Sequence, residues 1–189
     1  MREITFKIEE KQDGLMIRDF LRNFGVSSAL LTKLKRDENG ISLNGEFAKA
    51  IAVLHTSDVL KIRIKNKGKM PEKFICDKVK VAYDDDDILV LNKPPLMPVH
   101  ESRNHRGDTL ANVAACYMES DCAFRAVYRL DRDTSGFVLI AKNELAASKL
   151  AGKIKKDYYA IVKGKFEGDG TIDLPIRRVR ESIIERGVF

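Results

Sequence analysis

Residues 128–136 read Tyr-Arg-Leu-Asp-Arg-Asp-Thr-Ser-Gly, a polar turn between two apolar runs. The apolar residues within 124–127 predict a strand that enters the turn, and 137–141 predicts a fully buried strand that leaves it. A carboxylate held at rigid strand ends, with a guanidinium two residues before it, can serve as a nucleophile or a base. Asp131 and Arg129 are that pair. An ion pair that only ties the turn together fits the pattern equally well.

Composition predicts a globular protein with a modest preference for polyanions. The 189 residues are 33% charged and 44% hydrophobic, with 34 basic and 28 acidic side chains, a net charge of +6 and a pI near 9.2. Residues 1–75 hold +5 of that charge, which predicts a small nucleic-acid-binding module joined to a nearly neutral one. Three cysteines without Cys-x-x-Cys spacing predict reduced thiols, and no signal or membrane segment is expected. These features predict a cytoplasmic protein.

The basic first module is predicted to be a mixture of strands and helices. Alternating apolar residues over 4–8 and 59–64 predict strands, and helical spacing over 17–24 predicts a helix that ends near Gly25. Ser27 or Ser28 is expected to cap a second helix. The segment Gly-Ile-Ser-Leu-Asn-Gly at 40–45 predicts a strand that runs into a turn.

The polar turn at 128–136 resembles the signature His-Arg-Leu-Asp-x-x-Thr-Ser-Gly of the large-subunit ribosomal RNA pseudouridine synthases. Tyr128 stands where that family usually has His. The tyrosine keeps a flat ring and a hydrogen-bond donor at this position. Residues 88–95 resemble the family's strand followed by Asn-Lys-Pro, and 156–164 resemble its Lys-x-Tyr-x-Ala strand. Three blocks in the family's order are far more specific than any one of them.

The resemblance implies an isomerase that converts uridine to pseudouridine in structured RNA, with ribosomal RNA as the preferred partner. Asp131 would either attack the substrate covalently or remove a sugar proton, and the two routes stay open. Arg129 would fill the gap left by the flipped base, and Tyr158 would stack on the uracil. The isomerisation is redox-neutral, so we expect no cofactor, and we assign no metal site.

The first module resembles the S-four-type RNA-binding module over residues 12–65. In that module the second helix meets the phosphate backbone, and such contacts position RNA without reading its sequence. The arginine often found beside the capping serine is absent. The basic residues that we expect to contact RNA lie on the two helices: Arg18, Arg22, Lys33, Lys35 and Arg36.

The predicted fold class is α+β, since short strands and helices mix without regular βαβ alternation. We expect an α/β-mixed RNA-binding module at 1–65, a polar linker at 66–77, and the N-terminal part of a mixed or antiparallel-sheet catalytic domain at 78–189. Helical stripes are expected over 110–117 and 145–154. The four aspartates at 84–87 predict a solvated turn.

Family members continue past Phe189 through strands that place a basic side chain beside the catalytic carboxylate. Without these strands, only Arg129 and Arg132 would be left to keep Asp131 charged, so we expect an open, wet site and weak or absent turnover for these 189 residues alone. The run Ile183–Phe189 is apolar rather than a polar tail.

Two other functions fit parts of the sequence. The first alternative is a non-enzymatic RNA-binding protein with a degenerate catalytic half. Asp131-x-Asp133 superficially resembles an aspartate-nucleophile phosphatase, but no later acidic pair follows it. His100 and His105 lie about 140° apart on a helix, so they do not form a zinc-protease motif and predict a loop beside the RNA cleft. No membrane and no obligate protein partner are expected.

Overall fold

The computed structural model describes residues 1–119, 122–165, 167–180 and 185–188. The chain packs as two compact units, Met1–Ile154 and Lys155–Phe189. Among the described residues, no helix combines the length and the apolar character that crossing a bilayer requires. The architecture is a mixed α+β arrangement in which all strand pairs of the three sheets are antiparallel, so the α+β class is confirmed.

The first 65 residues fold around a sheet with two helices packed on it. The sheet has the order β1–β4–β2–β3, and its core includes Leu21, Leu54, Leu60 and Ile62, all fully buried. The predicted strands and helices of this module are confirmed. Their bounds are β1 (Arg2–Lys7), α1 (Ile17–Phe24), α2 (Ser28–Arg36), β2 (Ile41–Leu43), β3 (Glu46–Phe47) and β4 (Val59–Ile64).

Local backbone chemistry fixes the ends of these helices. Gly25 ends α1 with φ +106°, a left-handed conformation that favours glycine. The Ser27 hydroxyl accepts a hydrogen bond of 3.2 Å from the backbone N–H of Leu30 and caps α2. Of the two serines that the sequence offered, Ser27 is therefore the cap.

A second core forms around a three-stranded sheet of order β5–β6–β7. Leu89, Leu91, Val138 and Ile140 are fully buried within it. This region contains the elements β5 (Lys80–Asp84), β6 (Ile88–Lys93), α3 (Leu110–Ala114), β7 (Gly136–Ala141) and α4 (Glu144–Leu150).

The segment that enters the polar turn is not the strand that the sequence predicted. It makes one isolated bridge, Ala126 to Ile140, with the Val127 N–H donating to the Leu139 carbonyl at 2.8 Å. The strand β7 that leaves the turn is not fully buried either. Val138 and Ile140 face the core, whereas Phe137 is 58% exposed, because successive side chains of a strand point to opposite faces.

Both helices of the second region are shorter than their apolar stripes predicted. After α3, the Cys116 and Tyr117 N–H groups bond to carbonyls three residues back, so the helix tightens into a turn before Tyr117. Helix α4 ends at an extended Ala151 with ψ 125°, followed by Gly152 with φ +70°. Ile154 therefore lies beyond it.

The acidic turn at 84–87 is heavily paired rather than only solvated. Arg2 forms ion pairs with Asp87 at 3.0 Å and Asp86 at 3.1 Å. Asn143 Nδ2 also donates to Oδ1 of Asp87 at 2.7 Å, the oxygen that accepts from Nε of Arg2. The turn thereby joins β1 of the first sheet to the start of α4, a role that charge pattern alone does not reveal.

Among its described residues, the second unit contains one antiparallel strand pair, β8 (Ile176–Arg178) with β9 (Arg186–Val188). Residues 156–164 form no strand, so the strand predicted there from the Lys-x-Tyr-x-Ala pattern is wrong. Tyr159 and Ile161 are fully exposed, and no burial of alternate side chains holds this segment in a sheet. Of the apolar run 183–189, residues 183, 184 and 189 lie outside the described residues.

Candidate active site

The polar turn at 128–136 is anchored at both ends. Leu130 is buried in the second core at 8% exposure. The Tyr128 hydroxyl donates a hydrogen bond of 3.0 Å to the Phe137 carbonyl and closes the turn across its base. Gly136 begins β7 with φ +132°, which a side chain would strain. The Thr134 N–H also bonds to the Asp131 carbonyl at 3.2 Å, so the loop that carries Asp131 has a defined shape.

Lys93 lies under this turn at the end of β6 and is fully buried. Its ammonium donates to three backbone carbonyls, those of Pro94 at 2.9 Å, Met97 at 2.8 Å and Arg132 at 3.0 Å. Three carbonyls satisfy all three N–H donors of a lysine, which is how a buried ammonium becomes tolerable.

The same ammonium holds a strained turn. Leu96, between two of its carbonyl partners, has φ +66°, a conformation that costs a non-glycine residue about 1 kcal/mol or more. Lys93 therefore links the turn after β6 to the loop of Asp131. In the sequence, Lys93 is part of the block that resembles Asn-Lys-Pro, and nothing in that pattern assigns it a role in the site.

Lys93 is the one fully buried cation among the described residues. Burial lowers the pKa of Lys93, while the negative charges of Asp133 and Asp131 oppose that shift. Strand β6 thus supplies a cation under the loop of Asp131 that the sequence did not predict.

Asp131 itself is exposed, as are Arg129, Arg132 and Asp133. Arg132 pairs with Asp133 at 3.7 Å, and neither Arg129 nor Arg132 forms an ion pair with Asp131. Asp131 therefore lies in the open setting that we expected, without a pairing arginine among the described residues. The loop projects the carboxylate outward, where hydration offsets most of the cost of its charge.

His100 is close enough to Arg129 to feel its charge. Its ring meets Phe124 edge-on, with centroids 5.2 Å apart. Partial desolvation of the ring, and then the positive charge of Arg129, lower the pKa of His100. The residue is not helical and lies in a loop, as the sequence predicted.

Tyr158 belongs to the second unit and is 60% exposed. It stands in a segment without regular structure. Its ring is free of the core packing that a purely structural aromatic would show.

The five cations predicted to contact RNA are divided between two surfaces of the first module. Arg18, Arg22 and Lys35 line one pocket of about 350 Å³. Lys33 and Arg36 line another of about 630 Å³. Lys33 is already paired there with Glu144 at 2.6 Å.

A sequence profile described as RNA pseudouridylate synthase matches residues 87–187, more than half of the chain. The chain belongs to this family. The matched region contains β6 with Lys93, the loop with Asp131, and Tyr158. It includes no cluster of three or more His, Cys, Asp or Glu among the described residues that could hold a metal ion.

Relatives among pseudouridine synthases cover the chain to different extents. YjbO of Bacillus subtilis, named an uncharacterised RNA pseudouridine synthase, is 32% identical over 92% of this chain and 65% of its own length. Ribosomal large subunit pseudouridine synthase D of Pseudomonas aeruginosa is 40% identical over 53% of the chain and 34% of its own length. The tRNA pseudouridine synthase C of Haemophilus ducreyi is 31% identical over 58% and 47%. The chain thus spans less than two thirds of each of these relatives.

Proposed function

We propose that this chain is an RNA pseudouridine synthase that isomerises uridine to pseudouridine in structured RNA, with Asp131 as the catalytic carboxylate. The observation that carries the proposal is the loop of Asp131, which lies inside the family match and is fixed from beneath by Lys93. A rigid loop that presents an exposed carboxylate above a buried cation is suited to reach an extruded nucleotide.

The reaction breaks the bond from N1 of the uracil to C1′ of the ribose, turns the base and joins C5 of the uracil to C1′. The C5 proton is lost and N1 takes up a proton, so the product is an isomer of uridine. Asp131 would begin it either by attacking the substrate or by removing a ribose proton. Both routes use the charged form of a carboxylate. Electrons and atoms balance without an oxidant or reductant.

We assign the remaining site roles to Arg129 and Tyr158. Arg129 is exposed beside Asp131 in the chain, and its planar guanidinium can occupy the stack that a flipped uridine leaves. Tyr158 is exposed and can offer a ring face to the uracil. Neither residue is held by a core contact that would exclude these roles.

RNA binding is assigned to the basic first module. Arg18, Arg22, Lys35 and Arg36 would neutralise phosphates directly. Lys33 would have to exchange Glu144 for a phosphate, so its contribution is expected to be smaller. Ribosomal RNA is proposed as the target over transfer RNA, and the names of relatives include both.

Slow turnover is proposed for these 189 residues. The exposed setting of Asp131 and Arg129 provides little preorganised field, because water screens charges that a dry site would feel strongly. The same exposure supports the second candidate, an RNA-binding protein without isomerase activity.

One experiment distinguishes the isomerase from the RNA-binding protein without isomerase activity. The chain is incubated with transcripts of large-subunit ribosomal RNA and of transfer RNA, which are then digested to nucleosides and separated by chromatography. The proposal expects pseudouridine to accumulate in the ribosomal transcript. Binding of both transcripts without pseudouridine in either would favour the non-enzymatic candidate.

A further inference from the structure

The pocket lined by Arg18, Arg22 and Lys35 combines charge with exposed apolar surface. Its remaining lining comes from Leu31 of α2 and from residues 47–51, which include Phe47, Lys49 and Ile51. Four cations therefore border one cavity of about 350 Å³, and among the described residues no acidic side chain lines it.

The charges of this pocket are largely uncompensated. Arg18 pairs with its neighbour Asp19 at 3.3 Å, but no described residue forms an ion pair with Arg22, Lys35 or Lys49. Such a group of unpaired cations favours the binding of an anion in this pocket.

The larger pocket beside it differs in this respect. Three of its cations already have acidic partners: Lys33 pairs with Glu144 at 2.6 Å, Lys65 with Asp37 at 2.6 Å and Arg63 with Glu3 at 2.7 Å. Both pockets are basic in composition, but Asp37, Glu38 and Glu144 line the larger one and offset its charge, whereas no described acidic side chain lines the smaller one. The smaller pocket is therefore the better anion site.

Apolar exposure identifies the kind of anion. Phe47 is 58% exposed and Ile51 is 63% exposed. Phe47 stands on β3, directly after a turn in which Asn44 and Gly45 both have positive φ. Double-stranded RNA exposes its phosphates, but its base faces are stacked inside the helix. It would therefore leave the side chains of Phe47 and Ile51 exposed to solvent. An unpaired nucleotide offers a phosphate and a free base face together.

We propose that this pocket binds one unpaired nucleotide of the RNA, with the base stacked on Phe47 and its flanking phosphates held by Arg22, Lys35 and Lys49. The proposal rests on the proposed function only for the nature of the partner, RNA. It places a single-strand contact on the first module, apart from the uridine that meets Asp131. The module would thereby select RNA with a bulge, loop or tail beside the modified helix.

The test compares two fluorescent hairpin RNAs that differ only in a six-nucleotide single-stranded 3′ tail. Binding of the 189-residue chain is followed by fluorescence anisotropy. Phe47→Leu is expected to raise Kd for the tailed hairpin between about 5-fold and 100-fold, as loss of one base stack predicts, and to leave Kd for the blunt hairpin unchanged. Phe47→Tyr should restore tight binding. Phe74→Leu, which alters an exposed phenylalanine outside the pocket, is the matched control.

The cations are tested by the salt dependence of the same binding. Arg22→Gln should reduce the slope of log K against log salt by about 0.7 for the tailed hairpin, the value for one single-strand phosphate contact. Lys11→Gln, a surface lysine paired with Glu9, should leave the slope unchanged. Equal loss of affinity for both hairpins in Phe47→Leu would overturn the proposal. So would displacement of the tailed hairpin by polyglutamate of equal charge, which would indicate an acidic protein as the occupant.

Failure of this proposal is distinguishable from failure of the proposed function. Formation of pseudouridine with no selectivity for the tail would remove the nucleotide pocket and leave the isomerase. Tail selectivity that depends on Phe47, without pseudouridine formation, would keep the pocket and remove the isomerase.

Discussion

The ammonium of Lys93 donates a hydrogen bond of 3.0 Å to the backbone carbonyl of Arg132, the residue that follows Asp131. This bond joins the end of β6 to the loop that carries the proposed catalytic carboxylate. Since the same ammonium also binds the carbonyls of Pro94 and Met97, one side chain fixes two turns against each other. The position of Asp131 thus depends on a residue 38 positions earlier in the chain.

Lys93→Met should destabilise the fold. Methionine fills a similar volume but leaves three carbonyls without their donor, which we expect to cost about 2–4 kcal/mol after the relief of burying a charge is included. Urea unfolding followed by circular dichroism measures this change. Lys80→Met on the exposed face of β5 is the control, and equal stabilities of the two variants would show that Lys93 does not clamp the loop.

The contribution of Lys93 should also depend on pH in the alkaline range. Burial lowers its pKa below the ordinary 10.5 of the unfolded chain. Below the lowered pKa both states hold the proton, and the full cost of burying the charge is present. Between the two values the unfolded chain binds more protons, so the free energy of unfolding rises with pH.

This pH effect is read from the difference between the native chain and Lys93→Met, which cancels other titrating groups. Unfolding in urea at pH 7, 8, 9 and 10 should show the native chain gaining stability relative to the variant as pH increases. A difference that shrinks over this range would mean that the ammonium is better stabilised in the fold than in water.

Much of the first module was predictable because its signals are local. Helix α1 ends where Gly25 follows the last apolar position, and the alternation of β4 marks one buried face. The site was less predictable. Its key contact joins Lys93 at the end of β6 to Arg132 in the loop before β7. No spacing rule predicts a contact between residues that the pairing of β6 with β7 brings together.

Two predicted strands are wrong for a related reason, because strand formation depends on pairing with residues that are distant in the sequence. The approach to the turn resembled a strand by composition, yet it makes a single bridge at Ala126. The segment 156–164 has strand-like side chains but no sheet partner among the described residues of its unit, and β propensity without a partner does not fix a strand.

Arg2 and Asp87 should show measurable coupling. The pair joins the first sheet to the acidic turn through bonds of 3.0 Å from both Nε and Nη2 to the Asp87 carboxylate, and its side chains are 33% and 42% exposed. Bidentate geometry strengthens such a pair, but solvent screens it, so we expect a coupling of about 0.5–1 kcal/mol.

The measurement is a double-mutant cycle of Arg2→Ala and Asp87→Ala by urea unfolding. The same cycle with Lys11 and Glu9, an exposed pair within one turn, is the comparison and should give a smaller value. Additive effects at Arg2 and Asp87 would mean that the acidic turn does not join the two regions energetically.

Ser27→Ala should weaken the N-terminus of α2 by about 1 kcal/mol, because the Leu30 N–H loses its partner. Thermal unfolding measures the loss. Ser28→Ala is the matched control, since Ser28 lies inside the helix and its side chain does not cap it. A larger loss of stability in Ser28→Ala than in Ser27→Ala would show that Ser27 is not the cap of α2.

The central claim is that Asp131, and not its neighbour Asp133, performs the chemistry. Both carboxylates are exposed, and both oppose the lowering of the Lys93 pKa. Asp133→Asn is therefore a control that removes the same charge from the same loop. Each variant is incubated with ribosomal RNA transcripts that carry tritium at C5 of uracil, and tritium release to water is counted. The account predicts that release falls by at least about 1000-fold in Asp131→Asn and stays within a few-fold of the native rate in Asp133→Asn. Release that survives in Asp131→Asn would contradict it.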